Sequence, residues 1–234
     1  MARIRALALD FGDTLARPGP EPDGVTVARI LHGLDGTVVP EAFPSAFELV
    51  GRRIREEDRA HFTQSAFADL LRRSAQECGA VIPDPTAATE AVFTAVPDAE
   101  VDPRAADALR RLHERGLACV LACDTRRPEI VRRRTLEAAG IADCFDALVL
   151  SSTLGVRKPN PLFYDAVVSA AGCRPENILF VGDVPAKDAI GPYRFGMRAV
   201  LVTSSPRPDD LPESIGVIGH FAELPGYLEH AGEL

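Results

Sequence analysis

Apolar and polar residues follow two rhythms along this chain, and the rhythm changes near Val101. The chain opens on RIRALALDF (3–11), a short β-rich apolar run that ends at a Gly-containing turn and reads as a first strand. Residues 17–24 (RPGPEPDG) are dense in Pro and Gly and read as an irregular loop. From Val25 to about Val96 the segments VARILHGL, SAFELVGRRIREE, DRAHFTQSAFADLLRRSAQ and PTAATEAVFTAV repeat apolar residues three and four apart. That is the period of an amphipathic helix, and none of them has the continuous β-branched character of a buried strand.

After Val101 short apolar runs alternate with helical stretches. Asp102-Pro103 has the form of a helix start, and that helix stops at Gly116. ACVLAC (118–123), FDALVLS (145–151), NILFVGD (177–183) and MRAVLVT (197–203) have strand length. Helices opening at Arg127-Pro128, Pro161 and Pro185 lie between them, and VIGHF (217–221) with a short last helix closes the chain. Such alternation predicts an α/β fold with a doubly wound, Rossmann-like parallel sheet and helices on both faces. Ligands of such sheets sit at the carboxyl ends of the strands. The residues to inspect are therefore Asp10, Gly12 and Asp13; Cys123, Asp124 and Thr125; Ser151 and Ser152; and Asp183.

Composition narrows the function without choosing it. With 234 residues and 46% hydrophobic content, the chain suits one large domain, or a core with a smaller companion. A net charge of −8 disfavours a nucleic-acid partner, though it leaves room for a locally positive site that binds a small phosphorylated ligand. No apolar run approaches the ~20 residues of a membrane span. The basic start and short apolar run at the N-terminus lack a cleavage site and read as a strand, so a cytoplasmic location is expected. The five cysteines, Cys78, Cys119, Cys123, Cys144 and Cys173, form no CxxC and read as buried free thiols. Of 26 basic residues only Lys158 and Lys187 are lysines, a bias of the kind codon composition produces, and a lysine here is only a weak pointer to a place where Arg would not serve.

A strand-end Asp taken alone is a turn former or helix cap. Asp10 and Asp183 after two different strands, together with Lys158, have another use. Two carboxylates offer hard oxygens to Mg²⁺, a cation offsets phosphate charge, and one carboxylate can attack phosphorus.

Four blocks give this pattern a family resemblance. LALDFGDTL resembles the first motif of the haloacid dehalogenase-like hydrolases, ACVLACDT (118–125) occupies the place of the second, GVRKPNPLFYDAV (155–167) resembles the third, and ILFVGDVPAKDAIGPYRFGM (178–197) the fourth. The resemblance implies a Rossmann-like catalytic core over residues 1–16 and 98–234, and a helical cap of the C1 type (subfamily I) over 17–97. It implies Asp10 as a nucleophile that forms an aspartyl-phosphate, and Mg²⁺ held by Asp10, Asp183 and the Gly12 carbonyl. Lys158 would contact nucleophile and phosphate, Asp188 would orient Lys158 or a metal-bound water, and Cys123, Asp124 and Thr125 would line the phosphate site. Thr14 would lie near the turn after the first strand. The implied substrate is a small phosphorylated metabolite; the oligomeric state is not implied.

Two departures qualify this. The family's phosphatases carry a second Asp two residues after the nucleophile as general acid/base, where this chain has Gly12, and Asp13 follows where Gly is usual. The Ser or Thr of the second motif is Cys123, a weak hydrogen-bond donor. A slow Mg²⁺-dependent phosphatase is the first expectation. A metal-independent haloacid dehalogenase-type hydrolase, and a binding or regulatory protein on the same fold, are the alternatives. Lys187 reads as a solvated first-turn residue. His32, His61, His113, His220 and His230 show no metal-ligand spacing. The runs 52–55 and 132–134 read as solvated helix faces, the first placed so that one member could meet an anionic substrate.

Overall fold

In the opening strand, β1 (Ala6–Leu9), Leu7 and Leu9 face one side of a sheet and Ala6 and Ala8 the other. The computed structural model describes residues 3–233, so Met1, Ala2 and Leu234 of the expected core lie outside the described residues. After β1 come β2 (Ala16–Pro18), the helices α1 (Gly24–Leu31), α2 (Phe43–His61), α3 (Phe67–Cys78) and α4 (Pro85–Ala95), and then β3 (Ala99–Val101). The alternating part follows as α5 (Pro103–Glu114), β4 (Ala118–Cys123), α6 (Glu129–Ala138), β5 (Ala147–Leu150), α7 (Ser151–Leu154), α8 (Pro161–Ala171) and β6 (Ile178–Gly182). A π-helical turn over Pro185–Ile190 leads into α9 (Gly191–Arg194), β7 (Arg198–Val202), β8 (Gly216–Ile218) and α10 (Leu224–His230).

Six strands form one sheet in the order β5-β4-β1-β6-β7-β8, every neighbouring pair parallel. This is the expected doubly wound α/β sheet. From β1 the chain goes to β4 on one side and later to β6 on the other, so the strand order reverses at β1, which opens a crevice at that edge. Leu9 lies beside Leu121 of β4 and Val181 of β6. The residues that follow these three strands therefore emerge together.

The two sheet faces pack differently. Leu7 and Leu9 join Leu109 and Leu112 of α5 in one cluster. On the other face the small Ala6 and Ala8 leave room for Phe163, Tyr164 and Val167 of α8. Burying each such large apolar side chain contributes roughly 1.5–3 kcal/mol. The inserted helices α1 to α4 build a cluster of their own around Val27, Leu31, Phe47, Leu71 and Val92, to which Val131 of α6 also belongs. Phe47, Phe67 and Phe93 form a chain of ring contacts, with centroids 5.8 and 4.7 Å apart. Asp23, Asp84 and Asp102 each accept backbone N–H bonds at a helix start, the last as Asp102-Pro103 led us to expect.

Three local features differ from the sequence reading. Residues 16–18, partly within the expected loop, pair antiparallel with 99–101 to make a two-stranded ribbon at the root of the insertion. DRAHFTQSAFADLLRRSAQ is not one helical stretch: α2 ends at Phe62, whose φ is +52°, and α3 starts at Phe67. The break is held by Asp58, which is 1% exposed and accepts bonds from Thr63 Oγ1, Ser65 N and Ser65 Oγ at 2.9 to 3.0 Å. The helix that opens at Pro185 starts as a π turn, a departure often found at functional sites.

Candidate active site

Lys158 lies between the ends of β1 and β6. It is 1% exposed, and its Nζ donates to Asp10 Oδ1 at 2.6 Å, Asp188 Oδ1 at 2.7 Å and the Ala122 carbonyl at 3.0 Å. All three ammonium hydrogens thus have protein partners. Burial acts to lower the Lys158 pKa, but Asp10 and Asp188 outweigh it and hold the group well above its ordinary range. The Asp188 position follows from the π turn: Oδ2 accepts the Val184 N–H at 3.0 Å, and Tyr164 donates to the Lys187 carbonyl at 2.6 Å. A Cβ on Gly182 would stand 2.5 Å from the Asp188 Cβ, so only glycine lets this carboxylate reach Lys158.

Asp10, Asp183 and Asp188 bring one carboxylate oxygen each to within 4.8 Å of the others. Two of them, Asp10 and Asp188, bond the one ammonium, and Asp183 lies beside them. Burial raises the Asp10 pKa to about 7, with Asp188 and Asp183 adding to the rise and Lys158 opposing it. Burial, then Asp188, raises Asp183 to about 6. The surplus of hard, desolvated oxygen donors fits a divalent cation of the Mg²⁺ type, which would favour the ionised forms.

Behind β4, Cys123 is buried, and burial pushes its thiol up to about 12, which removes it as a nucleophile. The Asp124 side chain turns toward the loops of the third and fourth motifs. Its Oδ1 accepts the Lys158 N–H at 3.0 Å, and its Oδ2 lies 3.1 Å from Lys187 Nζ and 3.5 Å from Arg157 Nε. Lys187 is therefore an ion-pair partner, not the solvated residue expected. The N–H of Thr125, which was expected to line the phosphate site, donates to Ser151 Oγ at 2.8 Å. Ser151, fully buried, thereby braces the turn, a role that its place after a strand did not disclose.

At the first motif, Asp13 has φ +54° and an exposed side chain, and its charge contributes to the raised pKa of Asp183. Thr14 is buried, and its Oγ1 has no hydrogen-bond partner among the described residues. Gly12 faces Pro18 of the ribbon: an added Cβ would lie 3.2 Å from Pro18 Cγ.

The run 132–134 is only partly a solvated face. Arg132 is 4% exposed, stacks on Phe11 at 3.7 Å, and lies 3.0 Å from Asp98, which Arg127 also contacts at 3.0 Å. In the run 52–55, Arg55 lines a cavity beside Asp124. Among the described residues no helix is long and apolar enough to cross a membrane, and all five cysteines are free.

Comparison with known proteins extends this geometry. A family model described as haloacid dehalogenase-like hydrolase matches residues 4–196. A phosphoglycolate phosphatase of Cereibacter sphaeroides (strain ATCC 17025) is 32% identical over 220 residues, covering 86% of this chain and 97% of that protein. A phosphoserine phosphatase of Thermus thermophilus is 33% identical over 141 residues, 60% of this chain and 56% of that relative, so the match spans just over half its length. The crystal structure of a 2-haloacid dehalogenase from Pseudomonas syringae superposes with a TM-score of 0.70 at 20% identity, covering 97% of this chain and 99% of the other. At that identity the likeness is one of fold.

Proposed function

The chain belongs to the haloacid dehalogenase-like hydrolase family, and from that membership we propose that it is a Mg²⁺-dependent phosphatase of a small phosphorylated metabolite, with Asp10 as nucleophile. The carrying observation is the cluster in which Asp10 and Asp188 share the buried Lys158 and Asp183 brings a third carboxylate within reach of theirs. The phosphatase names of the relatives support the same reading.

Lys158 holds Asp10 Oδ1, which leaves Oδ2 to attack. As the Asp10 O–P bond forms, the ester O–P bond breaks. The leaving oxygen takes its proton from water, because Gly12 has none to give. Water then attacks phosphorus, inorganic phosphate leaves, and the Asp10 carboxylate is restored. Mg²⁺ held by Asp10, Asp183 and the Gly12 carbonyl would offset charge on the phosphate oxygens. Lys158, its hydrogens committed, acts through its field and by fixing Asp10, and Asp188 fixes Lys158. The Asp124 N–H and the Thr125 hydroxyl serve as phosphate donors beside Cys123. Lack of the general acid costs typically about 10²- to 10⁴-fold, so turnover of alkyl phosphates is slow. We place the cap at residues 17–97, closing over the crevice, and the core at 1–16 and 98–234.

The test is hydrolysis of para-nitrophenyl phosphate with and without Mg²⁺, beside Asp10→Asn. Activity that needs both the metal and Asp10 is expected. Activity indifferent to Asp10 overturns the reading. The absence of an Asp at position 12 favours a second reading, a dehalogenase-type hydrolase, and metal-independent chloride release from a 2-haloacid without phosphate release would establish it.

A further inference from the structure

Between the start of α8 and the π turn with α9 lies a cleft of about 450 Å³. Pro159, Pro161, Ile190 and Phe195 wall it, and among the described residues Arg194 is the one charged side chain in its lining. Its floor is the buried Tyr164, whose ring lies 5.7 Å from that of Phe195 and whose hydroxyl donates to the Lys187 carbonyl.

Beside the cleft stands a knob. Leu162 is 64% exposed, and Asp165, three residues further along the same helix, is exposed too, so the two share one face of α8. Tyr193, also exposed, extends the apolar surface on the α9 side. Single apolar side chains on a surface are ordinary, but two that flank an apolar cleft form a continuous patch, and such patches mark interaction sites.

The charges of the patch are loose as well. Arg194 and Asp165 make no ion pair among the described residues, although the pairs Arg174–Glu176 and Arg198–Glu233 involve the segments that follow α8 and α9. One free cation and one free anion suit a two-fold contact, in which each meets the other on the second copy. The chain carries a net charge of −8, so two copies repel each other in general, and a patch whose own charges cancel is where they can meet.

We infer that this patch joins two copies of the chain across a two-fold axis, with Leu162 of each copy seated in the cleft of the other and Asp165 against the partner's Arg194. A second copy is the occupant because the patch carries both halves of the contact, knob and cleft, anion and cation. A small apolar ligand would account for the cleft and leave Leu162 and Asp165 without a role. Filling the cleft also shields Tyr164, whose bond to the Lys187 carbonyl holds the π turn that places Asp188. The inference does not depend on the phosphatase reading.

Sedimentation equilibrium of the full chain at micromolar concentrations tests it. The chain should be a dimer. Leu162→Glu should weaken it about 30-fold or more, the scale of losing a central interface anchor. This variant should fold, because an acidic side chain suits the first turn of a helix. Asp165→Arg and Arg194→Asp should each weaken the dimer about 10-fold by facing like charges, and the double exchange should restore it. A monomer at every concentration overturns the inference, as does a dimer indifferent to Leu162→Glu. Dissociation by Leu162→Glu without rescue by the double exchange overturns the two-fold pairing of Asp165 with Arg194. A monomer that binds the dye 1-anilinonaphthalene-8-sulfonate, and loses it in Ile190→Glu, would assign the cleft to a small apolar ligand instead.

Discussion

At the end of β1, three carboxylates gather about one ammonium, which bonds two of them. Beside Phe11, one carboxylate, Asp98, lies against two guanidiniums, Arg127 and Arg132. Both clusters are buried and unbalanced, in opposite senses. At Asp98 the surplus positive charge is absorbed on the spot: Arg132 lies over the Phe11 ring at 3.7 Å, Arg127 over Phe93 at 5.1 Å, and Arg127 also donates to the Pro20 carbonyl at 2.9 Å. Its ion contacts are short but poorly aligned, since Asp98 Oδ1 and Arg132 Nη1 make no well-formed hydrogen bond among the described residues. Among the described residues Lys158 is the one cation paired with Asp10 or Asp188, and the Val184 N–H is a further donor to Asp188, which still leaves surplus negative charge. The first cluster closes on groups of the protein itself and ties both connections of the helical insertion to α6. The second is incomplete without a ligand. Burial of charge does not separate structure from function; the separation comes from asking which groups take up the remainder.

The same substitution applied to each cluster breaks the comparison most sharply. Asp10→Asn should abolish hydrolysis by about 10⁴-fold or more, the scale of losing a nucleophile. Asp98→Asn leaves two buried guanidiniums without their carboxylate and should destabilise the protein by about 3–5 kcal/mol, a melting-temperature drop on the order of 10 °C. Asp10→Asn should act on stability with the opposite sign in metal-free buffer. A carboxyl whose folded pKa is raised to about 7 is stabilised in its protonated form. Its contribution is present at low pH and lost as the pH climbs through that value, so replacing it with a neutral amide should raise the melting temperature, more at pH 8 than at pH 5. Thermal denaturation of both variants checks this, and a fall in both would erase the distinction.

A smaller effect comes from adding charge to the incomplete cluster. Gly12→Asp should raise turnover of alkyl phosphates by about 10²-fold and of aryl phosphates, whose leaving groups need no proton, far less. Because the new Cβ meets Pro18 at 3.2 Å, the gain should be larger with Pro18→Ala. Equal gains on both ester classes would show that proton donation is not what position 12 lacks. Smallest is the proton count. Mg²⁺ binding near pH 6.5 should release protons from Asp10 and Asp183, whose pKa values stand at about 7 and 6, and should release almost none above pH 8. Calorimetry in buffers of different ionisation heat reads this directly, and release that does not change with pH would count against these carboxylates as the metal's partners.

Much of this is legible in the residues. The strands and the helical insertion follow from apolar period, and Asp10 from its position after a strand, whereas the meeting of Lys158 and Asp188 with it is what the resemblance of the third and fourth motifs implied. What escapes has physical causes. The ribbon of 16–18 and 99–101 is too short to show a period, and its pairing joins segments about 80 residues apart. The break at Phe62 uses a left-handed residue without glycine, and its stabiliser, Asp58, looks in sequence like one more charge on a helix face. Arg132 and Lys187 read as solvated because a charged residue usually is; the burial of Arg132 and the ion pair of Lys187 depend on Phe11, Asp98 and Asp124, far away in the chain.

Asp124 has a consequence for how this site can change over time. One carboxylate binds the Lys158 amide, the Lys187 ammonium and the Arg157 guanidinium, so the loop of the third motif and the π turn both depend on a single residue. Exchange for Asn keeps the shape and removes the charge, which strands two neighbouring cations. Lys187 and Arg157 each keep 29% of the side chain exposed, so water takes up part of that charge, and a neutral residue at 124 becomes easier to accept as either cation is lost.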